Sequence, residues 1–290
     1  MSFKLILLVL LSGLVHATWN FFAKESKDKL AFFYIVKIIQ TVIYLPLIIY
    51  ILSKNSLLSN AIPYIIAGGL IHTVYWYSLG EAYTYGDLSI VYPIARSAPA
   101  VIPIFSFLFL GERLTLWGVL GIILVSVGVY LLTFEHGQFK ETLRKIFSLK
   151  EKGIIFSYIT LITVVAFSLN DKKASSLVDP IAYVYLFEIV SLIGLTPIMF
   201  LRKKTTEIKE EVNHNFINLL LSGVMVVLSY ALIIYAMKYS LVSYVTSVRQ
   251  VGIVFGVLFG VIFLKEDYGL RRIISSVLIT LGIIIIGLLG

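Results

Sequence analysis

A chain of 290 residues that is 59% hydrophobic and only 14% charged is not an ordinary soluble domain, in which about a quarter of the residues carry charge. The formal net charge of +8 invites a nucleic-acid reading, but most basic residues sit in short loops beside apolar runs, where they orient a membrane protein; no nucleic-acid partner is expected. With no cysteine, the chain has no disulfide framework, no Cys-based zinc site and no Cys nucleophile.

Crossing a hydrocarbon core takes about 20 apolar residues in a helix. Ten such runs follow one another: 3–23, 32–52, 62–84, 88–110, 115–134, 153–170, 180–201, 215–238, 242–264 and 269–289. Nothing alternates with the period of a barrel strand, so the expected fold is an all-α membrane bundle of ten transmembrane helices. The first run follows Lys4, and Val15-His16-Ala17 resembles a signal-peptide cleavage site. It is read as a retained span because it has a counterpart at 153–170. The second span carries Lys37 and Gln40. The third carries His72, Tyr75, Trp76, Tyr77 and Glu81.

The fourth span holds Arg96 and three prolines, Pro93, Pro99 and Pro103, which predict an irregular helix. Between the fifth and sixth spans lies a hydrophilic stretch, 135–152, with Arg144, Lys145 and Lys150. A second one, 202–214, opens with Arg202-Lys203-Lys204. The seventh span carries Glu188 and the ninth Arg249. The ninth has no proline but a small-residue stripe, Gly252-x-x-x-Gly256-x-x-x-Gly260, that predicts a packing seam.

The chain contains itself twice. Ala31-x-x-Tyr34-x-x-Lys37-Ile38 is echoed by Ala182-x-x-Tyr185-x-x-Glu188-Ile189, and Asn20 before Lys24 by Asn170 before Lys172 and Lys173. Residues 82–128 align without a gap on 236–282, with 11 of 47 pairs identical, among them Tyr85/Tyr239, Ser89/Ser243, Glu112/Glu266 and Gly128/Gly282. The halves are 1–134 and 153–290, joined by 135–152. Five spans per half is an odd number, so the second half enters the membrane inverted. Inverted repeats are the usual architecture of secondary transporters, with the site at their interface.

His16-Ala17-Thr18-Trp19-Asn20 with Ala23-Lys24, and Phe109-Leu110-Gly111-Glu112-Arg113 repeated as Phe263-Leu264-Lys265-Glu266-Asp267, carry a resemblance that spans the chain. It resembles the ten-helix EamA-type branch of the drug/metabolite transporter superfamily. That resemblance implies export of amino acids or related metabolites, or uptake of some solutes, from a plasma-membrane position. The superfamily is similar in fold to the small multidrug-resistance proteins, whose coupling carboxylate stands eight residues before a helix-1 lysine. Here that position is His16, so a proton-coupled drug mechanism does not carry over directly. Members of this length usually keep both termini in the cytoplasm. The basic residues point the other way: 15 lie on the face opposite the termini and 6 on the termini's own face. Orientation stays open.

An ionisable group near the centre of a span costs at least about 2.5 kcal/mol, so it faces a cavity or a partner. Lys37, Arg96, Glu188 and Arg249 are the candidates for charge recognition, with His16 and Asn20 as contacts from the first helix and Tyr75 and Trp76 as cavity walls. Three fixed positive charges against Glu81 and Glu188 favour a zwitterionic or anionic small-molecule substrate. His16 and Glu81 are the candidates for proton coupling. Pairing among these groups is the competing reading: Glu81 with Arg96 or Lys37, Glu188 with Arg249 or Lys37. Two alternatives remain, a multidrug or cation exporter with a free acidic group, and a scaffold or lipid-handling protein with every charge internally paired. No nucleotide loop, H-E-x-x-H motif or cluster of catalytic groups is present, so no cofactor, metal or enzymatic activity is expected. The partners expected are a small solute, the bilayer and, at most, a second copy in a homodimer.

Overall fold

The computed structural model describes residues 1–54, 59–86, 91, 94–133, 149–202, 205–264 and 269–290. Ser89, Pro93, Arg144, Lys145, Lys203, Lys204, Lys265, Glu266 and Asp267 lie outside the described residues. So do the side chains of Lys24, Phe263 and Leu264. Among the described residues all regular structure is helical.

The helices are α1 (Phe3–Glu25), α2 (Lys29–Lys54), α3 (Ile62–Tyr85), α4 (Ala98–Leu110), α5 (Leu116–Thr133), α6 (Lys152–Ala174), α7 (Pro180–Leu201), α8 (Thr205–Tyr239), α9 (Val242–Val248), α10 (Val251–Leu264) and α11 (Leu270–Leu289). Among the described residues seven segments are long and apolar enough to cross a membrane: α1, α2, α6, α7, α8, the α9–α10 stretch and α11. The chain is therefore a multi-pass membrane protein. Its outward surface is apolar, with Val42, Ile162, Ile217 and Leu288 each more than 60% exposed. A soluble protein does not present apolar surface on that scale.

Helix boundaries follow local chemistry. Ser2 caps α1, its side chain accepting from the Leu5 amide, and Asp179 caps α7 through the amides of Ile181 and Ala182. α8 contains one non-helical residue, Asn215 (φ −124°, ψ 21°), which separates a charged segment, 205–214, from the apolar span predicted to begin there. In that charged segment Glu211 is buried and accepts from the amides of Lys27 and Asp28, at 2.6 and 2.9 Å, where the chain turns from α1 into α2.

Most of the main helix contacts come in pairs related by exchanging the halves. α3 packs on α6 as α1 does on α8, α3 on α7 as α2 does on α8, and α1 on α10 as α4 does on α6. Two further contacts map onto themselves: α2 with α7, and α5 with α11. The repeat pair Gly128/Gly282 lies in that last seam. The halves thus interdigitate, which brings side chains from both to one interior.

The fourth and ninth spans differ from the continuous helices expected. A turn at Arg96 and Ser97 precedes α4, and a turn at Arg249 and Gln250 separates α9 from α10. Under the repeat alignment the two breaks agree to within one residue. Pro99 sits in the first turn of α4, where its missing amide costs nothing, so it starts the helix rather than kinking it. The second break has no proline. Its i→i+3 bonds, Gln250 to Ser247 and Gly252 to Arg249 (both 3.1 Å), replace the α pattern. Gly252 is needed there by close approach: a Cβ on it would lie 3.1 Å from the Gly13 carbonyl of α1. The predicted seam stops at that contact, since Gly256 faces open space.

Candidate functional site

α2 and α7 cross at the centre, one from each half, and bring Lys37 and Glu188 together. The two form a buried ion pair, and Gln40, one turn along α2, donates its amide to the same Glu188 oxygen at 3.2 Å. The pairing follows from their equivalent places in the two halves. Trp76 of α3 lies over the ammonium, with Lys37 Nζ 5.6 Å from the ring centroid, and packs on Phe33 at 4.4 Å. Trp19 of α1 meets Phe33 edge-on at 6.0 Å.

These residues, with Val36 and Val226, line a cavity of about 10 Å³, room for about one water molecule. Three of the lining residues carry a buried polar atom with no hydrogen-bond partner: the indole nitrogens of Trp19 and Trp76, and Gln40 Oε1. A buried polar group without a partner is costly, and three around one cavity are exceptional. Two donors and one acceptor thus stand next to a cation and an anion.

His16 links this cavity to a second polar centre. Its ring meets Trp19 edge-on at 4.7 Å, and its Nδ1 lies 3.3 Å from an Arg249 guanidinium nitrogen. Arg249 sits at the α9–α10 break and Arg96 just before α4. Arg96, at the corresponding break of the other half, stands within electrostatic range of both His16 and Arg249. The guanidinium of Arg249 stacks over Tyr230 of α8, 5.0 Å from its centroid. Among the described residues no carboxylate forms an ion pair with Arg249.

Behind Tyr230 lies Asp171 of α6, fully buried, which sequence reasoning missed. The hydroxyls of Tyr183 and Tyr230 each donate to it at 2.6 Å. The sixth span predicted from sequence, 153–170, stops one residue short of it. The signal was present: the equivalent of Asp171 in the first half is Phe21, inside α1. Asn170 bonds the Tyr64 carbonyl and the Tyr183 hydroxyl, both at 2.9 Å.

The remaining candidates disperse. Asn20 bonds back to the His16 carbonyl of its own helix at 2.7 Å. Tyr75 packs on Trp76 at 5.1 Å and on Phe167 at 5.6 Å. His72 is held between Phe167 and Phe187, each 4.4 Å away and nearly parallel, with Nδ1 on the Gly68 carbonyl at 2.8 Å. Glu81 pairs neither with Arg96 nor with Lys37. It forms an ion pair with Arg202, at the end of α7, whose guanidinium lies over Tyr77. Arg202 opens the hydrophilic stretch 202–214, outside the predicted spans, so the sequence does not foresee that pairing.

Residues 3–134 and 151–288 each match the EamA-like transporter family. The chain belongs to the EamA-like transporter family. The two matches coincide with the repeats read from the sequence, and a family of transporters agrees with the lack of catalytic motifs. This EamA-like protein is 32% identical over 133 residues to the uncharacterized protein MJ1333.1 of Methanocaldococcus jannaschii, covering 45% of this chain and 97% of that protein. That relative therefore has the length of one repeat. A solved crystal structure shares the fold of the EamA-like chain, with a TM-score of 0.75 at 15% identity over 99% of both chains.

Proposed function

We propose that this protein is a secondary transporter of small zwitterionic or anionic metabolites, such as amino acids, working by alternating access in the direction of export. On this reading α3, α5 and the fourth span join the seven long apolar segments to give ten spans in two inverted halves. The protein sits in the plasma membrane as a monomer or homodimer. The observation that carries the reading is the cavity. It joins one cation, one anion and three unpartnered polar atoms, contributed by both halves.

A ligand bearing a carboxylate and an ammonium fits that set. Its carboxylate replaces Glu188 on Lys37 and accepts from the two indoles. Its ammonium replaces Lys37 on Glu188 and donates to Gln40 Oε1. Arg96, Arg249 and His16 add positive potential on the neighbouring side, with Asn20 and Tyr75 shaping the walls. The fit costs no net charge, because the substrate opens one ion pair and forms two. The small cavity of the structure then belongs to a closed arrangement that widens as the halves rock. A cation exporter would call for a free acid at the cavity, and Glu188, the acid that lines it, is paired with Lys37. A scaffold would gain nothing from unpartnered indoles.

The test is a thermal-shift screen of purified protein against amino acids, organic acids, phosphorylated metabolites and lipophilic cations. A ligand at about 100 times its Kd adds about 2.7 kcal/mol. Stabilisation by an amino acid or organic anion, lost in Trp19→Phe and Trp76→Phe while both variants still melt cooperatively, is expected. Stabilisation by lipophilic cations alone sinks the reading.

A further inference from the structure

Arg249 is an interior cation that the central ion pair does not balance. It stands at the break between α9 and α10, about two turns into the ninth span. Two described contacts hold its guanidinium. One terminal nitrogen donates to His16 Nδ1 at 3.3 Å, and the group lies over the Tyr230 ring, 5.0 Å from the centroid. A guanidinium carries donors only, so Nδ1 accepts, and an imidazole that accepts brings no charge. The phenol ring supplies a quadrupole and no counter-charge. Among the described residues the ion pairs are Lys27 with Glu210, Lys37 with Glu188 and Arg202 with Glu81, none of which includes Arg249. Asp171, behind Tyr230, receives the hydroxyls of Tyr183 and Tyr230 instead.

An ionised group inside a span faces a partner or a cavity. Arg249, His16 and Tyr230 are each partly exposed although they lie deep in their spans, so protein does not seal the guanidinium. One aromatic layer separates it from the central cavity. Trp19 lines that cavity and meets His16 edge-on at 4.7 Å. Tyr230 packs on Phe187 at 5.6 Å, next in sequence to Glu188.

We propose that Arg249, oriented by His16, is a second anion subsite, and that the substrate is an amino acid or related zwitterion whose side chain carries an additional acidic group. The inference rests on the zwitterion reading of the cavity and keeps its assignments: the substrate's α-carboxylate on Lys37, its ammonium on Glu188. Charge balance selects the class. A neutral zwitterion opens one ion pair, forms two, and leaves Arg249 as it was. A ligand with one further negative charge does the same and also neutralises Arg249. The planar fork of arginine presents two parallel donors to a carboxylate or phosphate, a geometry that lysine lacks. Because an aromatic layer lies between the two centres, the extra acid hangs on a flexible arm, as the γ-carboxylate of glutamate does.

Three probes decide the matter in thermal-shift titrations of the purified full chain: glutamate, glutamine and glutarate. Glutamine keeps the α-groups and the shape of glutamate without the side-chain charge. Glutarate keeps both acids without the ammonium. Glutamate is expected to bind about tenfold or more tightly than glutamine, as a charge-assisted bidentate contact implies. Arg249→Gln is expected to weaken glutamate far more than glutamine while melting cooperatively, and Arg249→Lys, which keeps the charge without the fork, to fall between. Where Arg249→Gln does not melt cooperatively, His16→Phe gives the second reading. It keeps a ring against Trp19, removes the acceptor that orients the fork, and is expected to lower the preference for glutamate. Equal affinity for glutamate and glutamine in the wild type overturns the subsite and leaves the zwitterion reading standing. A preference for glutamate that survives Arg249→Gln overturns it as well. Binding of glutarate alone, lost in Arg249→Gln, supports the subsite and sinks the zwitterion reading. If none of the three binds, the subsite falls, and the zwitterion reading stands or falls on the wider screen.

Discussion

Lys37 and Glu188 show how one contact can serve both the fold and the site. Removing either partner strands a charge in a buried place, at about 3–5 kcal/mol, so a single variant that melts early says nothing about binding. The double variant Lys37→Met with Glu188→Met separates the two roles, because an apolar pair of similar volume restores or exceeds the original stability. The expected outcome in thermal melts is wild-type stability or better, with all ligand-induced stabilisation gone. Ligand stabilisation that survives in the double variant removes both residues from the site. Their meeting is one of the pairings the sequence leaves open, since Glu188 could face either Arg249 or Lys37; the crossing of α2 and α7 decides it. Asp171 was not legible, because a carboxylate followed by two lysines looks like a helix end. Only the packing of α6 against α3 and α8 shows that it is enclosed.

At the scale of elements, the breaks in the fourth and ninth spans matter most. A broken helix frees backbone groups that only a partner or a cavity can satisfy inside a membrane, and transporters place such breaks at the site. The sequence showed the first through its prolines and concealed the second, whose cause is tertiary: Gly252 closes on Gly13 and the chain yields at Arg249. The motif Phe109-Leu110-Gly111-Glu112-Arg113 acquires a physical meaning here. Gly111 takes the left-handed conformation (φ 67°) that ends α4. Glu112 then reaches the start of α9, accepting from the Val242 amide at 2.7 Å and the Ser243 hydroxyl at 3.1 Å. Lys172 holds the carbonyl end of α8 on the other side of the same turn. Glu112→Ala therefore removes a cap between the two halves. It is expected to cost about 1 kcal/mol or somewhat more, given the burial of the amides it leaves unpaired. Hydrogen exchange should show the amides of 242–245 exchanging faster while those of α11 are unchanged. Unchanged exchange at 242–245 assigns the cap to water instead.

The molecule as a whole is two interdigitated halves, and interdigitation is what gives the central pair one residue from each. If the halves rock against each other, the contacts that map onto themselves, α2 with α7 and α5 with α11, act as pivots, and the paired contacts exchange strain between the two faces. That motion requires inverted halves, hence an even number of crossings in total. The seven segments that are apolar enough by length and composition would instead put the termini on opposite sides. The difference is measurable because the chain has no cysteine of its own, so each introduced thiol is a clean reporter. Ser2→Cys and Leu289→Cys lie at exposed ends, and Lys27→Cys lies at the exposed α1–α2 turn. With ten spans an impermeant thiol reagent added to sealed cells labels the first two alike and Lys27→Cys oppositely. The positive-inside rule, applied to the excess of basic residues on the α1–α2 side, expects the termini to be the labelled pair, whereas the habit of family members of this length expects Lys27→Cys to be labelled instead. Labelling of Ser2→Cys without Leu289→Cys would mean an odd number of crossings and would remove the inverted repeat. Labelling of Lys27→Cys alone would keep the repeat and reverse the orientation, leaving the substrate site unchanged at the interface of the two halves.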